Sequence, residues 1–142
     1  MKLRILVFDL DESLRQLLSI IARGNGHEVL SFPEPSACPL YTDSGCRCPR
    51  DAVCGDLMII DSRMLKMSAM GWIRKQLENG CKVAVHNKLV LSTSGSDQEE
   101  LRIAKEMGFT LLNKPFKLKE ISEWIDGWEK RIDPNRKLVE IS

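Results

Sequence analysis

A chain of 142 residues that is 43% hydrophobic and 29% charged has the size and mixture of one ordinary soluble domain with a substantial core. Twenty-one basic residues against twenty acidic leave a net charge of +1. That balance gives no footprint for nucleic acid or an acidic membrane surface, and no apolar run approaches the ~20 residues of a membrane span.

The first element is an apolar, β-branched run from Leu3 to Phe8, closed by Asp9-Leu10-Asp11-Glu12. Its apolar stretch breaks at Asp9 with no small-residue cleavage site behind it, so a signal peptide is not expected and a cytoplasmic location is. Leu14, Leu17, Leu18 and Ile21 then fall at i, i+3, i+4 and i+7, one face of a helix that Gly24-Asn25-Gly26 ends. Glu28 to Phe32 is a second short strand, stopped by Pro33 and Pro35. From Ser36 to Gly55 no helical period survives, although an alternating α/β chain should carry its second helix there.

The third strand, Leu57 to Ile60, is a continuous apolar run that drives into Asp61, the pattern of a strand buried on both faces. A helix is expected from about Ala69 to Asn79, then a strand from Leu89 to Leu91. Ser96-Asp97-Gln98-Glu99 has capping-box spacing and opens a helix to about Met107. Thr110 to Asn113 is the fifth strand. Leu118, Ile121, Ile125, Trp128 and Ile132 step by three and four, an amphipathic last helix that Asp133-Pro134-Asn135 terminates. The economical architecture is α/β: a doubly wound five-stranded parallel sheet with helices on both faces. One domain over residues 1–132 and a short polar tail over 133–142 are expected.

Polar groups follow the apolar runs at Asp9 and Asp11, at Asp61, at Ser92 and Thr93, and at Lys114. In open α/β sheets the functional crevice lies beyond the carboxyl ends of the strands, where all of these fall. A carboxylate there can act as a nucleophile toward phosphorus and acids can hold Mg²⁺, while a hydroxyl and an ammonium can bind phosphate oxygens.

Four stretches, ILVFDLDES, LMIIDSRMLKM, LSTSG and NKPF, stand in an order that resembles the response-regulator receiver domain, over roughly residues 3 to 130. The resemblance implies a flavodoxin-like sheet in the order 2-1-3-4-5. It implies that Asp61 accepts a phosphoryl group, with Ser92 as the switch hydroxyl and Lys114 as the anion partner through a Lys114–Pro115 bond that is cis in the family. Mg²⁺ would be held by Asp9, Asp61 and the backbone carbonyl of Arg63. The implied role is that of a single-domain regulator and not an enzyme, phosphorylated by a histidine kinase or phosphotransfer protein. It would signal through contact with a further protein, and a second copy of the chain is among the expected partners.

The chain departs from the family pattern at Leu10, which stands where a second, directly metal-ligating acid is usual; weakened Mg²⁺ binding is expected. Leu65, Ala69 and Leu111 are further departures. A degenerate receiver, acting as a phosphorylation-independent interaction module, is therefore an alternative. Phe8-Asp9-Leu10-Asp11 also resembles the opening of haloacid-dehalogenase-type phosphatases, with Asp9 as nucleophile and Asp11 as acid/base. That reading ranks lower because it leaves Asp61 without a role.

Cys38, Cys46, Cys48 and Cys54 lie within the aperiodic stretch as C-x7-C-x-C-x5-C. In a reducing compartment four clustered thiolates suit Zn²⁺ or an iron–sulfur cluster, and a metal would order residues 36–55 as an insert; packed thiols are the plainer alternative. Cys81 and the tryptophans Trp72, Trp124 and Trp128 are expected to pack, and His27 and His86 to be surface or satisfied residues.

Overall fold

The computed structural model describes residues 2–33, 41–42, 45–46, 53–61, 87–92, 102 and 105–139. Strands β1 (Arg4–Phe8) and β2 (Glu28–Phe32) are followed by two short strands, β3 (Tyr41–Thr42) and β4 (Gly45–Cys46). Then come β5 (Leu57–Asp61), β6 (Lys88–Ser92) and β7 (Thr110–Asn113). Five of them form a parallel sheet in the order β2-β1-β5-β6-β7, which is the expected 2-1-3-4-5 once the β3–β4 pair is set aside. β3 and β4 make a separate antiparallel pair, Tyr41 opposite Cys46, inside the stretch where a helix would ordinarily stand.

The sheet is apolar on both faces, as parallel strands must be when each side is covered. Ile5, Val7, Ile59, Leu89 and Leu91 share a core with Leu18, Ala22, Ile121 and Ile125 of the two described helices, α1 (Glu12–Gly24) and α2 (Leu118–Glu129). Leu6, Phe8, Met58, Ile60 and Val90, which alternate with these, are equally buried. Trp124 and Trp128 pack against the first core, as their helical spacing predicts. His27 is buried and satisfied at Nδ1, which accepts the Leu3 N–H at 3.1 Å.

Local chemistry sets the ends of α1. Asp11 is its N-cap, with Oδ1 accepting the backbone N–H of Ser13 at 2.9 Å and of Leu14 at 3.3 Å. Beyond its far end Gly26 takes φ +87°, a conformation that costs glycine nothing and that turns the chain into β2. At α2, Glu120 reaches back to accept the Lys117 N–H at 3.0 Å, one half of a capping box. Among the described residues no helix is long and apolar enough to cross a membrane. The predicted helices over 69–79 and 96–107 fall mostly outside the described residues; 105–107 are helical, and Gly108 follows with φ +100°.

The polar tail is not a loose end over its described part. Val53 N–H donates to Lys137 O at 3.0 Å and Val139 N–H to Val53 O at 2.9 Å, a parallel bridge that carries the chain under the amino-terminal edge of the sheet. There Arg136 closes a two-pronged pair on Asp56, Nε to Oδ1 and Nη2 to Oδ2, both at 2.7 Å. Asp56 Oδ2 also accepts the Arg4 N–H at 2.9 Å. Arg4 in turn binds Glu28 at 2.6 Å and donates to the carbonyl oxygens of Cys54 and Val139. Asp56 holds the Arg136 guanidinium above its usual pKa, first through these hydrogen bonds and then, against the opposing effect of burial, through its charge.

Candidate functional site

Strand register builds the site. Phe8 lies opposite Ile60 on neighbouring parallel strands, so the next residues, Asp9 and Asp61, leave the sheet side by side. One strand over, Asp61 is in register with Leu91, which places Ser92 one step beyond it. Ser92 in turn pairs with Asn113, and Lys114 follows at once. The bond from Lys114 to Pro115 is cis.

Lys114 Nζ stands between the two acids, 3.0 Å from Asp9 Oδ2 and 3.5 Å from Asp61 Oδ1. The carboxylate side chains are 1% and 9% exposed and the lysine 22%, so the trio is sunk into the sheet end but open to water from the lysine side. Desolvated charges of this kind persist only when paired, and one ammonium serving two carboxylates leaves one formal negative charge in excess. The first of these contacts is a charge-assisted hydrogen bond; the second is an ion pair beyond hydrogen-bond length.

Asp9 is fixed from its other oxygen as well, since Oδ1 accepts the Asp11 N–H at 2.9 Å. Asp11 is turned away to cap α1, so it does not supply the acid missing at Leu10, nor the acid/base that a phosphatase chemistry on Asp9 would need. Leu10 itself is 40% exposed at the mouth of the site.

Two hard carboxylates with an excess negative charge suit Mg²⁺, which needs only one or two protein carboxylates and keeps its waters. Asp9 and Asp61 would hold it, and Lys114 would have to yield one or both of them to do so. Arg63, whose carbonyl was expected to complete the set, lies outside the described residues, as do Thr93, Leu65 and Ala69. Ser92 is placed by its backbone at the expected strand end.

A metal centre on the cysteines has no support. Cys54 is a buried thiol just ahead of β5, packed at the sheet's amino end, and Cys46 belongs to the β3–β4 pair. Cys38, Cys48 and Cys81 lie outside the described residues, with His86 and Trp72. Among the described residues no group of three or more His, Cys, Asp or Glu side chains could hold an ion. The described residues of this stretch are held by strand pairing between β3 and β4 and by the tail bridge at Val53.

Two side chains of consequence, Arg15 and Arg136, carry little signal in the sequence. Arg15 binds the loop that carries Asp9, and nothing in its helical position distinguishes it from any solvated arginine. Arg136 was read as part of a polar tail, although a buried acid ahead of β5 calls for a cation from somewhere in the chain.

No protein-family model matches the chain, and no curated protein matches it in sequence. Solved structures do match in fold. A response regulator receiver protein from Pseudomonas putida superposes with a TM-score of 0.68 at 23% identity, over 89% of this chain and 98% of that one. The receiver domain of the Francisella response regulator 1452 gives 0.69 at 18%, over 92% and 98%. A response regulator receiver domain protein from Clostridium thermocellum gives 0.64 at 21%, over 90% and 94%. The chain has the receiver-domain fold along nearly its whole length.

Proposed function

Starting from the receiver fold, we propose that Asp61 accepts a phosphoryl group from a phosphohistidine of a partner kinase or phosphotransfer protein, and that the chain then signals by contact with another protein. The observation that carries this is the convergence of Asp9, Asp61 and Lys114 at the carboxyl end of the sheet. In the transfer, an Asp61 carboxylate oxygen forms the bond to phosphorus as the phosphorus–nitrogen bond breaks, its electron pair leaving with the imidazole. Mg²⁺ bound by Asp9 and Asp61 would neutralise charge on the incoming oxygens. Lys114, released from Asp9 or Asp61, is within reach to pair with the phosphoryl group once it is attached. Leu10 at the site mouth, Leu17 and Ile20 on α1, and Leu118 at the start of α2 are exposed apolar side chains that a protein partner could cover.

Acetyl phosphate with Mg²⁺, read by intact mass, tests the assignment. One phosphoryl group per chain is expected, abolished in Asp61→Asn and weakened in Asp9→Asn. Undiminished labelling of Asp61→Asn overturns it. Leu10, together with an ammonium standing between the two acids, favours a second reading, a phosphate-independent interaction module. Absence of label from the unsubstituted chain at saturating Mg²⁺, with labelling gained by Leu10→Asp, selects that one.

A further inference from the structure

The three residues between β1 and α1 carry the first acid of the site and have no ladder of their own. β1 ends at Phe8 and α1 begins at Glu12, so the carbonyls of Asp9 and Leu10 belong to neither element. The Asp9 side chain is held at both oxygens, by the Asp11 N–H and by Lys114. Those bonds aim the carboxylate only if the backbone beneath it stays in place. Among the described residues, one side chain secures that backbone from the helix side. Arg15 Nη1 donates to Asp9 O at 2.7 Å and to Leu10 O at 3.2 Å, and the Arg15 N–H closes the first turn of α1 on Asp11 O at 3.0 Å. On the sheet side the Asp9 N–H donates to Phe32 O at 3.2 Å.

We propose that Arg15 is the positioning residue of the site, acting through the backbone carbonyls of Asp9 and Leu10. Its chemical consequence rests on the phosphoacceptor reading above; its structural consequence does not. A guanidinium suits the task because it is always charged and presents several donors in a rigid plane, so it can bridge two carbonyls from one fixed stem. Without it the loop keeps its cap at Asp11 and its bond to Phe32, but the carbonyls of Asp9 and Leu10 lose this donor and the peptides flanking Leu10 are left with the restraint of the Asp11 N–H bond to Asp9. The Asp9 carboxylate then leaves the line shared with Lys114 and Asp61. Outer partners of this kind commonly change metal affinity by about 10–100-fold while touching no metal themselves.

Arg23 supplies the control, because it makes the same kind of bond from the same helix, Nη2 to Val29 O at 3.2 Å, without touching the loop. The unsubstituted chain, Arg15→Ala, Arg15→Lys and Arg23→Ala are compared by two NMR measurements. One is hydrogen exchange of the Asp11 amide, which donates to Asp9. The other is titration with Mg²⁺ alone, followed at the Asp61 and Lys114 amides. Arg15→Ala should speed Asp11 exchange and weaken Mg²⁺ binding, each by about tenfold. Arg15→Lys, which keeps the charge but not the planar NH2 group, should recover part of both, and Arg23→Ala should change neither. Unchanged Asp11 exchange in Arg15→Ala, or an equal rise in Arg23→Ala, overturns the proposal. If the unsubstituted chain binds no Mg²⁺ and takes no label, the phosphoacceptor reading falls, and Asp11 exchange alone decides the role of Arg15. Should Arg15→Ala fail to fold, Arg15→Gln, whose uncharged side chain is too short to bring its amide to the two carbonyls, is judged by the same measurements.

Discussion

Strand β5 has a buried aspartate at each end, and the two are held differently. Asp56, just before the strand, has both oxygens bound at 2.7 Å by the Arg136 fork, and one of them also by a backbone N–H. Asp61, the last residue of the strand, faces a lysine at 3.5 Å that lies closer to a second acid. The fork is rigid and matches both oxygens of a carboxylate; the ammonium is a compact point charge on a flexible stem that two carboxylates can share. The amino end is clamped at both carboxylate oxygens, and the carboxyl end shares one ammonium between two acids. That difference separates a two-pronged ion pair from a shared one on a single five-residue strand.

The amino-end pair is most exposed to disruption at Arg136. Arg136→Met keeps the apolar stem but leaves the Asp56 carboxylate, 1% exposed, without its fork. A loss of about 3 kcal/mol is expected in urea denaturation, at the low end for a broken buried pair because the arginine is partly solvated. Adding Asp56→Asn should return much of it. A loss under about 1 kcal/mol would show that the tail is a surface decoration after all.

Gly55 sharpens the same end. A Cβ there would stand 2.8 Å from Leu6 Cγ and 3.4 Å from the Arg4 carbonyl oxygen. Leu6 is fully packed beneath the sheet, so Gly55→Ala should cost about 1–3 kcal/mol through overpacking, with Asp61 labelling retained. Loss of labelling without loss of stability would mean that the two ends of β5 are coupled rather than independent.

At the carboxyl end the expected effect is smaller and changes sign with the partner. Lys114→Met leaves two close carboxylates without their shared cation and should cost about 1–2 kcal/mol, tempered by the open lysine side. Asp61→Asn in that background should recover most of it, and Asp61→Asn alone should be neutral or stabilising, because it removes the excess negative charge. A Lys114→Met loss as large as that of Arg136→Met would erase the distinction between the two ends.

Much of this was legible without coordinates. The apolar runs at Leu3–Phe8 and Leu57–Ile60 are nearly the observed strands, and the 3–4 stepping of Leu118, Ile121 and Ile125 is the buried stripe of α2. Such patterns are local, because the period of each element is fixed by its own backbone geometry. The placing of Asp9, Asp61, Ser92 and Lys114 at one end followed from strand direction, since parallel strands all end on the same side. The sequence alone thus determined the five strands of the parallel sheet, the two described helices and the cluster of acids and lysine, along with the absence of a second acid at Leu10.

Only the tertiary structure decided how the charges are shared. Asp11 and Asp9 are two residues apart and look interchangeable in the sequence, yet one caps a helix while the other meets Lys114 across a separation of 105 residues. Arg136 and Asp56 find one another across 80 residues, which turns a polar tail into a clasp. Periodicity carries no information about such pairs. A buried carboxylate must have a partner, but which cation supplies it depends on where the chain returns, and that is settled only when the sheet closes against its helices.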